Sequence, residues 1–400
     1  MKKNDFYSFV LFCFNPVLAL FYSMYVYLIE RKGVLGLSLS LALICCYFPM
    51  MFDTSLNFYA IYYKELSGNF FSIYTYIPSL FTGKIDYYFF IFMYTVIIYY
   101  CWLSLLSKVN INGEKISFLV ILLLSLTYRD IMDLNRNALA ISLALYGVFC
   151  VEMKGGKGIV LKLCIACLSV SIHMSVILIW GVKILSGVIR LKKSVSYIVL
   201  FTCLVIGYLL PNLSSQLHSV FTLLGGGLGG RMEYYMYGNE FGVEVYTFTS
   251  MIRKLMSVLI IFLIGILTIK NNNALQSNSL NVLNKIVFII CCVTLIFEMY
   301  VTFFERLQLI IMFAFAPIYY SVRNLKFLKI GILSSIAMRS AILYCYSYAG
   351  FFVGDYSVIN NSTFVVNTEL KPFIYPTAFL LDFDNTYSDK NILKYNDWGK

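Results

Sequence analysis

The sequence predicts an all-α, polytopic integral membrane protein with about twelve transmembrane helices, some of them short or broken, and two long outer loops. Three observations predict it. Of 400 residues, 60% are hydrophobic and only 13% charged, whereas soluble domains carry about 45–50% apolar and about 25% charged residues. Apolar runs recur near the length of about 20 residues that crosses a hydrocarbon core of roughly 30 Å. Polar residues concentrate in the connections, so each run has to satisfy its own backbone groups in lipid, and a helix does that.

Taken in order, the runs lie near 6–29, 34–51, 86–106, 116–128, 137–152, 159–171, 174–189, 195–211, 249–269, 286–303, 307–322 and 330–347. The first, Phe6 to Ile29, is too long for a signal-peptide core and lacks a small-residue cleavage site, so it is expected to be a retained span. Runs 116–128 and 137–152 and the pair 159–171/174–189 are short for a full crossing. They predict tilted helices, or half-helices that meet inside the protein. Together the runs make one transmembrane helical domain over 1–381, with outer loops at about 52–86 and 212–248 and a polar tail at 382–400. The Asn- and Ser-rich stretch 271–284 reads as a linker. In the second outer loop, Gly225 to Gly230 is almost all glycine and precedes Arg231. Such a stretch holds a fixed helix only at an entropic cost, and it is either a flap over a site or a plain connector.

The connections sort by charge. Those at 30–33, 107–115, 153–158, 190–193, 270–285 and 323–329 hold 14 Lys/Arg against three acids, Glu30, Glu114 and the bordering Glu152. Those at 52–86, 128–136, 172–173, 212–248, 304–306 and 348–374 are far longer, yet hold seven Lys/Arg and eleven acids. The positive-inside bias makes the first set cytoplasmic and the second outer. Lys2 and Lys3 run against it, because the alternation places the N-terminus outside. The net charge of +11 records this loop bias and not a nucleic-acid surface. The eleven cysteines lie in or beside apolar runs, which argues against a disulfide framework.

With this orientation Asp53, Arg129, Arg136, His173, Arg231, Glu305 and Arg306 all fall at the outer face. A conducting path needs polar groups across the whole bilayer. A cluster at one face fits the handling of an anionic, lipid-anchored substrate. On a continuous helix, Arg129, Asp133 and Arg136 would share one side at i, i+4 and i+7. An intrahelical ion-pair ladder explains that spacing without any function. Against it, an intramembrane Arg costs about 2.5–3.5 kcal/mol on insertion scales and usually faces a cavity. Its planar fork also binds phosphate bidentately, so Arg136, and then Arg129, lead as anion ligands.

His173 stands between two short apolar stretches. It either fixes a helix break as a structural donor or accepts a proton, which its ordinary pKa of about 6.5 allows. Glu305 and Arg306 are neighbours that cannot face each other on a helix, so each needs a partner elsewhere. Asp53 is either an N-cap or a proton acceptor. Arg253 and Lys254 either snorkel or hold phosphate. Lys162 and Lys183 read as snorkelling, His218 as structural, and mid-span Arg339 as needing a partner, with Glu298 a candidate. No phosphate-binding glycine loop, paired metal-ligand motif or regular array of intramembrane acids is present. No metal or cofactor is therefore expected, and the energy for a reaction has to come with its substrate.

At these residues the chain resembles bacterial O-antigen and polysaccharide polymerases of the Wzy-type and EpsG-like group. The matching stretches are Asp53-Thr54 with Asn57 and Tyr59, then Asn135-Arg136-Asn137-Ala138-Leu139-Ala140-Ile141-Ser142, then Ser171-Ile172-His173-Met174-Ser175-Val176-Ile177. Arg231 with Tyr234 and Tyr235, and Glu305-Arg306, fit the same layout. The resemblance implies a metal-independent glycosyltransferase of the inner membrane, its site facing the periplasm, that joins undecaprenyl-pyrophosphate-linked oligosaccharide repeat units. It further implies that Arg129, Arg136, Arg231, Arg253 and Arg306 bind the pyrophosphate. His173, Asp53 or Glu305 would take the proton of the acceptor hydroxyl, His173 foremost because the motif falls on it. The implied partners are the bilayer, a chain-length regulator and other polysaccharide-export membrane proteins, with no nucleic acid. Two other readings stay open. An O-antigen ligase uses the same donor, and a flippase or transporter of lipid-linked oligosaccharides needs cations through the membrane centre, where Arg339 alone is placed.

Overall fold

The computed structural model describes residues 3–47, 73–81, 87–111, 113–152, 155–189, 192–213, 248–271, 278–322, 325–347 and 371–381. The first apolar run is divided, contrary to the expectation of one span over 6–29. Helix α1 (Lys3–Phe14) ends before α2 (Pro16–Glu30) begins. Pro16 lacks an N–H and its ring crowds the preceding turn. Asn15 between them is extended (φ −159°, ψ 131°), and its side chain accepts hydrogen bonds from the N–H groups of Val17 (2.9 Å) and Leu18 (3.1 Å). An Asn cap and a Pro first residue start a helix, and here they outweigh the apolar run through them.

The remaining helices are α3 (Val34–Cys46), α4 (Ile73–Ser79), α5 (Tyr87–Ser107), α6 (Lys115–Leu124), α7 (Tyr128–Asp133), α8 (Asn135–Phe149) and α9 (Gly155–Ile172). After a 3₁₀ turn at Met174–Val176 come α10 (Ile177–Leu185), α11 (Lys193–Leu209), α12 (Phe248–Asn271), α13 (Asn278–Ile296), α14 (Val301–Ser321), α15 (Lys326–Ser347) and the short α16 (Thr377–Leu380). No β-strand occurs among the described residues. Among the described residues, five segments are long and apolar enough to cross a membrane: Phe89–Ser107, Met251–Asn271, Asn278–Ile296, Phe303–Ser321 and Lys326–Tyr344. Shorter apolar helices, including α2, α3, α6 and α11, accompany them. The described residues are those of an all-helical membrane protein. The expected linker 271–284 is largely helix in its described part, because α13 starts at Asn278. Buried Asn284 donates to the Thr268 carbonyl at 3.0 Å, so its amide has a partner inside the hairpin.

Chain contacts divide the molecule into two units. The first comprises Met1–Val109, Leu126–Val176 and Tyr344–Lys400. Within it α1, α2, α3, α5 and α8 pack in sequence, and α9 lies against α8. Lys162 Nζ reaches the carbonyls of Val151 (3.3 Å) and Val148 (3.4 Å), and Lys108 reaches that of Cys150 (3.3 Å). These lysines cap the C-terminal end of α8, where helix carbonyls have no intrahelical donor. The second unit comprises Asn110–Ser125 and Ile177–Leu343, with α13 packed by α10, α11, α12 and α14. There Lys329, at the start of α15, bonds Glu114 at 2.9 Å and lies 4.7 Å from the Tyr319 ring centroid.

Candidate functional site

In the first unit, the candidate group is built on a helix break. Thr127 caps α7 through a reciprocal pair: its hydroxyl accepts from the Asp130 N–H (3.2 Å), and Asp130 Oδ2 accepts from the Thr127 N–H (2.9 Å) and hydroxyl (2.8 Å). Asp130 is thereby committed to the cap. Helix α7 lasts six residues and ends at Leu134, whose φ −118° and ψ 38° are not helical. Arg129 Nε and Asp133 Oδ2 lie 4.0 Å apart on it. Arg136 belongs to the next helix. The shared face expected for Arg129, Asp133 and Arg136 is therefore interrupted, because the backbone turns at Leu134 before Arg136 is reached.

Helix α8 opens with Asn135-Arg136-Asn137, and both asparagines are buried. Asn135 Oδ1 accepts from the Tyr74 hydroxyl (3.0 Å), and its Nδ2 donates to Thr95 Oγ1 (3.2 Å). Asn137 Oδ1 accepts from the Ser175 hydroxyl at 2.6 Å. Residues two apart point to nearly opposite sides of a helix, so these bonds fix the backbone on both sides of half-buried Arg136. Arg136 stands out in the sequence, whereas its supports Asn135 and Asn137 emerge from the fold. The signal was available, because two amides flanking an arginine in an apolar run have to find partners when buried.

His173 follows α9 and precedes the 3₁₀ turn, so it stands at a helix break as one of its two readings expected. Its Nδ1 lies 2.9 Å from Ser175 Oγ and 3.2 Å from the Ser175 N–H. A hydroxyl has one proton. With that proton on the bond to Asn137 Oδ1, the 2.9 Å contact is one in which the imidazole donates. Nδ1 then carries the hydrogen, and Nε2 is the basic nitrogen. The longer contact from the Ser175 backbone competes for Nδ1 and asks for the opposite tautomer. The arrangement Asn137–Ser175–His173 thus governs which ring nitrogen is basic.

In the second unit, the second turn of α12 and the start of α14 gather a separate set of charges. Arg253 Nη2 is 3.6 Å from Glu305 Oε1, which supplies a partner that the adjacent Arg306 cannot be. Lys254 Nζ lies 3.4 Å from Met299 Sδ. Arg306 is half-buried on α14. Glu298 occupies the turn between α13 and α14, outside both membrane-length segments, and is 7% exposed. Burial pushes its carboxyl up to about 7 against the opposing pull of Lys254, so Lys254 and not Arg339 is the charge that bears on it. Asp53 and Arg231 lie outside the described residues, whereas the expected outer loop 52–86 contains the described helix α4. Among the described residues, no three His, Cys, Asp or Glu side chains gather to hold a metal ion.

The model of the EpsG family matches residues 56–368. No curated protein and no solved structure matches the chain.

Proposed function

This chain belongs to the EpsG family, and on that premise we propose that it is an O-antigen-type polymerase joining undecaprenyl-pyrophosphate-linked oligosaccharide repeat units. Family membership and the membrane-length helices make it a polysaccharide-polymerase-like, multi-pass membrane protein. The finer reading places about twelve spans in the inner membrane. It places the long loops and the active site on the periplasmic side, from the Lys/Arg distribution of the connections.

The observation that carries it is the start of α8. Arg136 is fixed between two bonded asparagines, and one of these, Asn137, is linked through Ser175 to His173. In the reaction, the bond from the anomeric carbon to the pyrophosphate oxygen breaks and a bond to the acceptor hydroxyl oxygen forms. The pyrophosphate leaves with the bonding electrons. Arg136 and Arg129 offset the charge that develops on it, and preorganised cations act most strongly on such charge; Arg231, Arg253 and Arg306 are the further anion ligands that the family resemblance implies. The acceptor proton passes to the basic nitrogen of His173, with Asp53 and Glu305 the alternative proton acceptors.

The test is the lipopolysaccharide banding pattern of a strain lacking the gene, complemented with wild type, Arg136→Ala or His173→Ala. The expected result is loss of the long ladder with one repeat still attached to the lipid core. Absence of any repeat on the core would place the defect in translocation or ligation and overturn the assignment.

A further inference from the structure

The turn between α13 and α14 buries a carboxyl that the scheme above does not use. Its backbone is held tightly: the Glu298 N–H bonds the Leu295 carbonyl (3.3 Å) and the Tyr300 N–H bonds the Phe297 carbonyl (3.0 Å). Glu298 Oε2 is buried and has no hydrogen-bond partner among the described residues. Helix α11 closes one side. A Cβ on Gly207 would overlap the Leu295 carbonyl oxygen and stand 3.1 Å from Glu298 Cγ, so only glycine permits this approach. At the same turn Leu210 and Tyr300 form a small buried cluster, with Ile296, Phe297, Met299 and Phe303 packed against it. Phe297 and Phe303 are partly buried and stack with centroids 5.1 Å apart and 28° between planes.

These features define a ligand. An anion would meet the Glu298 carboxyl, and a wholly apolar chain would leave its free oxygen without a partner, at a cost of about 1–3 kcal/mol. A molecule with a C–H face and hydroxyl edges satisfies both the rings and the acid. We propose that the α13–α14 turn is a saccharide subsite, in which the Phe297–Phe303 pair takes a sugar face and Glu298 takes one of its hydroxyls. That the sugar belongs to a repeat unit rests on the polymerase reading. The neutral acid is the form that binds, because a sugar laid over the carboxyl removes its remaining solvent and further disfavours charge. Lys254 from α12 is the charged group that bears on it; α11 presents Gly207, and α14 starts from its N-cap Tyr300 with Phe303 in its first turn.

The sign follows from the raised pKa. The binding form is present below about 7 and is lost as the pH rises through it. The probe is the oligosaccharide released by mild acid from the host's own lipid-linked intermediates, titrated calorimetrically into the full-length protein in detergent. Wild-type affinity is expected to fall about tenfold from pH 6 to pH 8, following the neutral fraction. Glu298→Gln should bind equally at both values, and Glu298→Ala and Phe303→Leu should bind about tenfold more weakly at pH 6. Wild type alone gives a second reading that needs no variant. At pH 7, titrations in buffers of different ionisation heat should show uptake of about half a proton per sugar bound.

Affinity that rises with pH, or the lack of proton uptake, overturns the proposal. So does binding by Glu298→Ala and Phe303→Leu that matches wild type. Polymerisation of the lipid-linked intermediate is measured in the same preparations. Sugar binding without polymerisation by wild type counts against the polymerase reading and leaves the subsite standing.

Discussion

Replacing Gly207 by alanine puts a methyl group where the Leu295 carbonyl already stands. The added carbon would also lie 3.0 Å from the Leu295 carbonyl carbon and 3.1 Å from Glu298 Cγ. The obstructing atoms belong mainly to the backbone of the last turn of α13, so a side-chain rotation does not relieve them. Overpacking a tight contact costs about 1–3 kcal/mol, and a rigid backbone obstacle argues for the upper end. Alanine recovers roughly 1 kcal/mol of helix propensity over glycine. The net loss is about 2 kcal/mol, roughly a 30-fold change in the folded-to-unfolded ratio. Thermal unfolding of the detergent-purified variant measures it, with Gly181→Ala as control, because a Cβ at Gly181 meets nothing within 4 Å. The control should be neutral or slightly more stable. If Gly207→Ala unfolds with the control, α11 does not hold the turn as closely as described, and the burial of Glu298 needs another cause. A destabilised Gly207→Ala should also admit water to Glu298, returning its carboxyl toward the usual range and moving the pH dependence of sugar binding to lower pH.

Three further outcomes are expected. Asn137→Ala frees the Ser175 hydroxyl to donate to His173 Nδ1, so polymer formation should fall toward the level of His173→Ala, and the double variant should be no worse than either; full additivity would break the link. Lys329→Met removes a 2.9 Å bond to Glu114 and a contact 4.7 Å from the Tyr319 ring. Because the Glu114 side chain is 42% exposed, the ion pair is discounted to below about 1 kcal/mol, and with the cation–π contact the total loss is about 1–2 kcal/mol; an unchanged unfolding midpoint would refute it. For Arg253 and Glu305, 3.6 Å apart with Glu305 37% exposed, a double-mutant cycle to alanine should return a coupling of under about 1 kcal/mol in stability. A much larger value would mean the pair is buried in the working protein.

What could be read in advance follows from how local each feature is. Helices in an apolar chain announce themselves, because lipid and packing ask the same thing of every run, and α5, α12 and α15 appear close to the expected runs, whereas α13 (Asn278–Ile296) begins and ends well before the run expected at 286–303, which leaves Glu298 outside it. Asn15-Pro16 is a readable helix start inside the first run, and it outweighs the length of that run. Thr127-x-x-Asp130 was likewise a capping pair in plain view, and recognising it would have shown that α7 is a short helix with its own beginning. Its end at Leu134 has no such marker, since leucine is a good helix former. The spacing of Arg129 and Arg136 therefore suggests one shared face, and only the backbone turn at Leu134 separates them.

The two candidate groups differ in the same way. His173, Ser175, Asn137 and Arg136 lie in motifs the sequence displays, and only the bonds among them needed the fold. Glu298 carries no local mark of importance. A glutamate beside a span end is ordinarily solvated at an interface, with its carboxyl in the usual range. What changes it is Gly207 on another helix, whose missing side chain lets α11 close over the turn. That dependence also says how the site could be altered without touching its chemistry. A side chain added at Gly207 should change the Glu298 carboxyl through its burial alone, whereas a change at Phe303 should weaken sugar binding at every pH and leave the acid as it is.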